Sequence, residues 1–326
     1  MFQYIGKRLL QFVPVFLGVT LFLFILTRVI PGDPVAMLSG QRVQDPQILA
    51  QMRHAYHLDL PVWQQFILYL KDIAQGNFGT SIATGRSVKD IFLEKYPYTL
   101  QLAFAAIIIE IIVGIGAGVI SAVKQYSFWD VTVTLSTSLL VSLPVFWLGM
   151  MMQLFFGIWL KNWTNGQFYL PISGAWSPGA PFPPMAYLIM PAITLASVST
   201  AYAARIQRSQ LLEVRGTDYI RTARAKGLSE GSVLWRHAMK NALIPVVTFI
   251  ALDLGAMMAG AILTETVFNW PGIGYQIYLS IEQRDWPVVI GTTIIVTMVY
   301  MVINLIVDIS YAFLDPRIRY GGSEGR

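Results

Sequence analysis

Asp218-Tyr-Ile-Arg-Thr-Ala-Arg-Ala-Lys-Gly227, continued by Arg236-His-Ala-Met-Lys-Asn-Ala-Leu-Ile-Pro245, is a basic segment set between two apolar runs. A chain that keeps such a segment between greasy runs is organised by a membrane, and the segment is a surface offered to a partner on one side of it. It holds no nucleophile, no metal-ligand cluster and no phosphate-binding glycine loop, so contact with another protein is its expected use.

The rest of the chain agrees with a membrane setting. Hydrophobic residues make up 55% of the 326 residues, charged residues only 13%, and the mean hydropathy is +0.56, outside the balance of a soluble domain. Cysteine is absent, which excludes disulfides and thiol chemistry. Lipid offers the backbone no hydrogen-bond partner, so a hydrocarbon layer of ~30 Å is crossed by about 20 apolar residues of helix. About six stretches qualify, approximately Leu9–Thr27, Leu100–Val123, Val131–Leu160, Ala186–Ala204, Leu243–Leu263 and Val288–Phe313. The expected fold is an all-α integral membrane protein. The third stretch is long enough to tilt or to continue as a surface helix, and Pro191 with several Ser/Thr makes the fourth the weakest. The first is a retained helix: its apolar run is too long for a secretory signal, and no small-residue cleavage site follows it.

Lys7, Arg8, Lys124, the basic cluster from Arg205 to Lys240, Arg317 and Arg319 all fall on one side if the spans alternate. The positive-inside rule assigns that side, with both termini, to the cytosol, and reads the net charge of +5 as topology rather than a nucleic-acid footprint. The chain then divides into an N-terminal membrane helix (1–30), an extracytosolic insertion (31–96), a core membrane domain (97–313) holding the cytosolic loop 209–240, and a cytosolic tail (314–326). Within the insertion, residues 61–73 have apolar positions at helical spacing.

Acids inside spans are costly, which singles out Glu110, Asp253 and Asp308. Each either lines a water-filled path or fixes helix packing, and for Asp308, near the interface and close to Asn304, packing is the expected role. Gly114-Ile-Gly-Ala-Gly118 lets helix backbones approach closely, and Pro14, Pro144, Pro191 and Pro245 interrupt the hydrogen-bond ladder. Enzyme motifs fail. Gly79-Thr-Ser-Ile-Ala-Thr-Gly85-Arg-Ser has the wrong glycine spacing for a phosphate loop and Arg86 where lysine belongs, while His54, His57 and His237 fall on opposite sides of the membrane. If transport here consumes ATP, another subunit binds it.

Thr217 to Lys226 favours helix, with Gly227 placed as its left-handed stop and Ala223 offering a small surface between basic neighbours. Composition alone leaves two readings open, a short docking helix or a solvated amphipathic loop that only carries positive charge. The residues themselves narrow this. Arg221-Thr-Ala-Arg-Ala-Lys-Gly227 resembles the cytosolic EAA loop of binding-protein-dependent ABC importer permeases, in the form of the dipeptide and oligopeptide group. Arg221, Thr222 and Ala223 stand where the general pattern has Glu-Ala-Ala, and His237-Ala-Met-Lys240 replaces the usual ending. Arg28–Val35, Glu265-Thr-Val-Phe-Asn-Trp-Pro-Gly-Ile-Gly274, Arg284–Val288, Asn304–Asp308 and Leu314–Arg319 are similar to signatures of the same group, and the first helix with its insertion resembles the B-type member of the pair.

The resemblance implies a type I ABC importer permease fold in a bacterial or archaeal plasma membrane. It implies a heterodimer with a second, similar permease, two ATP-binding subunits that hold ATP and magnesium, an extracytosolic solute-binding protein and a peptide cargo. This chain would carry no cofactor and no catalysis; Arg221, Thr222, Ala223, Arg224 and Gly227 would form the coupling contact. Nickel chelates, opines, glutathione or oligosaccharides are the alternative cargoes. A proton-driven secondary transporter using Glu110 and Asp253 is the alternative of another class.

Overall fold

The computed structural model describes residues 2–29, 47 and 59–314, and these are helical apart from turns, loops and one isolated bridge between Thr80 and Ser87. The tail beyond Leu314, most of the Arg28–Val35 signature and the first part of the insertion lie outside the described residues. The helices are α1 (Phe2–Val29), α2 (Val62–Ala74), α3 (Val88–Val123), α4 (Phe128–Ser142), α5 (Val145–Trp163), α6 (Pro184–Arg215), α7 (Asp218–Ala225), α8 (Glu230–Met258), α9 (Ile262–Val267), α10 (Ile273–Glu282) and α11 (Trp286–Leu314). Five of them contain a stretch long and apolar enough to cross a membrane, and α4 with α5 supplies a sixth as one bent span.

The chain forms two compact units, 1–97 with 272–326, and 98–271. The core expected over 97–313 thus yields its last span to the unit that contains α1.

In the unit of 98–271, α6 is the axis. α3 runs parallel to it: Gly114 lies against Thr200 and Ala203, Gly118 against Ala204 and Gln207, and Arg215 donates to the Ala122 carbonyl at 3.0 Å. The chain between two parallel helices must cross the bundle an odd number of times. α4 and α5 make that one crossing, antiparallel to α6, with Asp130 beside Arg208, Thr137 and Ser138 beside Arg205, and Met152 beside Thr194. The third span is therefore not the continuous helix expected over 131–160. It turns by 106° at Leu143 and Pro144. Proline has no N–H to continue the ladder and excludes helical geometry from the residue before it, and Leu143 is extended at φ −93°, ψ 136°. The fourth span, the weakest by sequence, is an unbroken 32-residue helix that tolerates Pro191 and runs on past Ala204 to Arg215. α8 returns antiparallel to α6, with Met239 at Gln207 and Val246 and Ile250 in one apolar cluster with Ala196.

Three π-helical turns, Glu110–Ile115, Gln153–Trp159 and Val233–Ala238, widen α3, α5 and α8.

In the other unit, α1 and α11 are antiparallel, with Leu23 packed in one cluster with Ile294, and Arg8 paired to Asp308 at 3.2 Å. Ile73 and Tyr69 of α2 pack onto the same cluster. The stretch 79–87 folds as a closed turn around Asp285, whose carboxylate accepts from the Ser81 hydroxyl at 2.5 Å and from the Ile82 amide at 3.1 Å. The Ile82 and Ala83 amides of this stretch, which fails as a phosphate loop, are thus directed at an internal anion.

Candidate functional site

The basic loop is built as a short helix on a fixed base. Thr217 is extended (φ −76°, ψ 156°) and its hydroxyl donates to the Val214 carbonyl at 2.6 Å, which turns the chain out of α6 and into α7. Ile220 and Ala223, three residues apart and so on one helix face, are buried in a cluster with Leu211, Val119, Val233 and Ala242. Gly227 ends the segment in the left-handed region at φ +79°, where a β-carbon is strained.

Two contacts fix the orientation of α7. Arg224 grips Glu230 through Nε–Oε1 at 2.7 Å and Nη2–Oε2 at 3.3 Å, and the Asn241 amide donates to the Tyr219 hydroxyl at 2.8 Å. Asp218, Tyr219, Arg221, Thr222, Ala225 and Lys226 are left exposed. Among the described residues Arg221 meets only Asp218, at 3.2 Å, and the Gly216 carbonyl, also at 3.2 Å. Exposed pairs of this kind contribute at most about 1 kcal/mol and exchange readily for a better partner.

The five residues expected to make the coupling contact therefore separate. Arg221 and Thr222 are on the outer face and Gly227 is the terminator. Ala223 does not offer the small outer surface expected of it: at 7% exposure it is part of the protein's own core. Arg224 is committed largely to Glu230. Tyr219 and Ala225 belong to the outer face and were not singled out by sequence, although the spacing of Ile220 and Ala223 carried the signal.

Behind α7, Asp130 takes Arg208 through both carboxylate oxygens, 2.8 and 2.9 Å, and also accepts from Ser121. This ties α3, α4 and α6 together at their basic ends. The sequence reading passed over Asp130 because it lies just outside the third apolar stretch.

The three acids within the spans also separate. Asp308 is paired with Arg8. Glu110 heads the π turn of α3, is 0% exposed, and neither of its oxygens has a donor among the described residues. Oδ2 of Asp253 on α8 is likewise buried without a donor among the described residues.

Comparison with known proteins gives the following likenesses. The family model described as "Binding-protein-dependent transport system inner membrane component" matches residues 114–320, and the model of the corresponding N-terminal part matches residues 1–103. The chain is 41% identical over 335 residues to a di/tripeptide transport system permease protein of Pseudomonas aeruginosa, covering 98% of this chain and 99% of the relative. It is 39% identical over 339 residues to a dipeptide transport system permease protein of Alkalihalophilus pseudofirmus, covering 98% and 100%. A solved amino acid ABC transporter chain is 16% identical with a TM-score of 0.49, covering 70% of this chain and 94% of that one.

Proposed function

Because the chain belongs to the family of inner-membrane components of binding-protein-dependent transport systems, and is thereby a multi-pass permease subunit of an ABC importer, we propose that it carries dipeptides and couples to its ATPases through the outer face of α7. The cargo is taken from two relatives whose names specify di- or tripeptides and dipeptides and which align over almost their whole length. In this reading a second permease completes the path, two ATP-binding subunits hold ATP and magnesium and perform the hydrolysis, and an extracytosolic binding protein delivers the peptide. The basic end of the bundle, with both termini, faces the cytosol.

One observation supports the coupling role above the others. α7 is amphipathic and buries Ile220 and Ala223 in the same core as the ends of α3, α6 and α8, while its polar face is left uncovered. A push on that face is carried into three helices at once.

Arg221→Glu is the cleaner charge reversal, because Arg224→Glu would also break the grip on Glu230. In vesicles holding the complete transporter and its binding protein, Arg221→Glu is expected to insert normally. Uptake should fall about tenfold or more while ATP hydrolysis persists, the range of a coupling free energy of ~1–3 kcal/mol. Uptake at the normal rate would show that the outer face of α7 is not the docking surface, and tight capture of a sugar or metal chelate by the binding protein, without peptide, would replace the cargo.

A further inference from the structure

Arg205 is a cation within the membrane-crossing helix α6, and among the described residues no acid of this chain pairs with it. Its Nε donates to the Thr137 hydroxyl at 3.3 Å and its Nη2 to the Ser138 hydroxyl at 2.9 Å, both on α4. Thr137 in turn donates to the Thr134 carbonyl at 3.0 Å, which leaves its oxygen lone pairs to the guanidinium. Both partners are neutral, and Nη1 has no acceptor among the described residues. The guanidinium is oriented but its charge is not offset. Its outer edge, Nη1 with the second hydrogen of Nη2, is open for the two parallel bonds that a carboxylate accepts.

Depth and direction decide what can meet that edge. Thr137 stands nine residues from the start of α4 at Phe128, roughly 14 Å of helix. Long basic side chains in a span ordinarily reach back to the interface. Arg205 does the reverse. It lies three residues from Arg208, ~4.5 Å along α6, yet their partners Thr137 and Asp130 are seven residues apart, ~10 Å along α4, so the two side chains diverge and that of Arg205 runs inward. Tyr202, Arg205, Ser209 and Glu213, three and four residues apart, make one exposed polar stripe on this half of α6, with the Phe249 ring 6.2 Å from that of Tyr202. Glu213, the acid of the stripe, is two turns away toward the basic end, ~12 Å along the axis. Hydrocarbon accepts no hydrogen bond, so a cation and a polar stripe at this depth face a water-filled cavity or another subunit.

We propose that Arg205 is a specificity-determining residue of the translocation path, its open edge taking the terminal carboxylate of the passing dipeptide while Thr137 and Ser138 hold the guanidinium in place. This deepens the dipeptide reading above and rests on it. A carboxylate of the second permease has the same chemistry, and the test separates the two.

Ligand-observed NMR, which reads weak affinities, is applied to the complete transporter in lipid nanodiscs without its binding protein, with alanyl-alanine and its C-terminal amide as probes. The wild type should bind the free acid about tenfold more tightly than the amide, in keeping with a charge-assisted pair. Arg205→Gln should abolish that ratio, and Arg205→Lys, which keeps the charge without the planar fork, should restore part of it. A ratio of two affinities is insensitive to the amount of folded complex. A wild type that binds both probes alike, or neither, overturns the proposal, as does a ratio unchanged in Arg205→Gln. If Arg205→Gln no longer copurifies with the second permease, the carboxylate belongs to that subunit and the proposal likewise falls. Failure of the dipeptide reading itself is seen separately, as a binding protein that captures no peptide.

Discussion

Three glycines on one stretch of α3 meet very different surroundings, and this makes a controlled test of how closely α3 and α6 approach. A β-carbon built on Gly118 would sit 2.6 Å from the Ala204 carbonyl oxygen and 2.6 Å from Cβ of Gln207, whereas one on Gly116 would meet nothing within 4 Å. Gly114 is intermediate, 3.0 Å from Cβ of Ala203. Glycine to alanine within a helix contributes about 0.5–1 kcal/mol through propensity, and that gain is the same at all three sites. What differs is the overlap. The obstacle at Gly118 includes backbone, which cannot rotate aside, so the helices must part, at a cost of ~1–3 kcal/mol for overpacking. The difference between Gly118→Ala and Gly116→Ala is therefore the steric cost alone, roughly a five- to hundredfold ratio in unfolding constant. Unfolding of the purified chain in mixed micelles, with increasing dodecyl sulfate, gives the ranking. Gly116→Ala should be the most stable, Gly114→Ala next and Gly118→Ala the least. Equal stability of Gly116→Ala and Gly118→Ala would refute the close parallel packing of α3 and α6, and with it the reason for counting α4 and α5 as one crossing.

Two further outcomes follow from the contacts of the two units. In a double-mutant cycle between Asp130→Asn and Arg208→Gln, the coupling energy should be about 1–2 kcal/mol, well above an exposed pair, because the Asp130 side chain is 6% exposed and Arg208 only 30%; additive effects would show that the clasp contributes nothing. Asp285→Asn weakens the charge-assisted bonds that close the turn at 79–87, so tryptic cleavage after Arg86 should be about fivefold faster, on the order of 1 kcal/mol of local opening, while α11 stays intact.

Much of the fold was readable because lipid imposes a length and a polarity on each crossing. The runs around Leu9, Leu100, Leu243 and Val288 stood out for that reason. The break at Leu143 was only half visible: Pro144 announced an interruption, but the direction of the turn depends on α5 packing against α6 and the loop that Gln153 holds through the Ile172 carbonyl. Pro191 misled in the opposite sense, since the packing of α6 on α3, α4 and α8 outweighs one missing backbone bond. The site was legible as a basic helix but not as a helix with an inside. Ala223 reads as an outward surface until Ile220, one turn before it, is seen to share its buried face.

The unbroken course of α6 has a mechanical meaning. At 32 residues it is a rod of roughly 48 Å, and α7 hangs directly from its basic end. A rod of that length works as a lever: a tilt of about 10° displaces its far end by roughly 8 Å, so a small rocking of the end beside α7 would become a large sweep at Pro184 on the other side of the bilayer. The span that reads as the weakest in sequence is the one that runs unbroken, and an unbroken helix passes a displacement along its length.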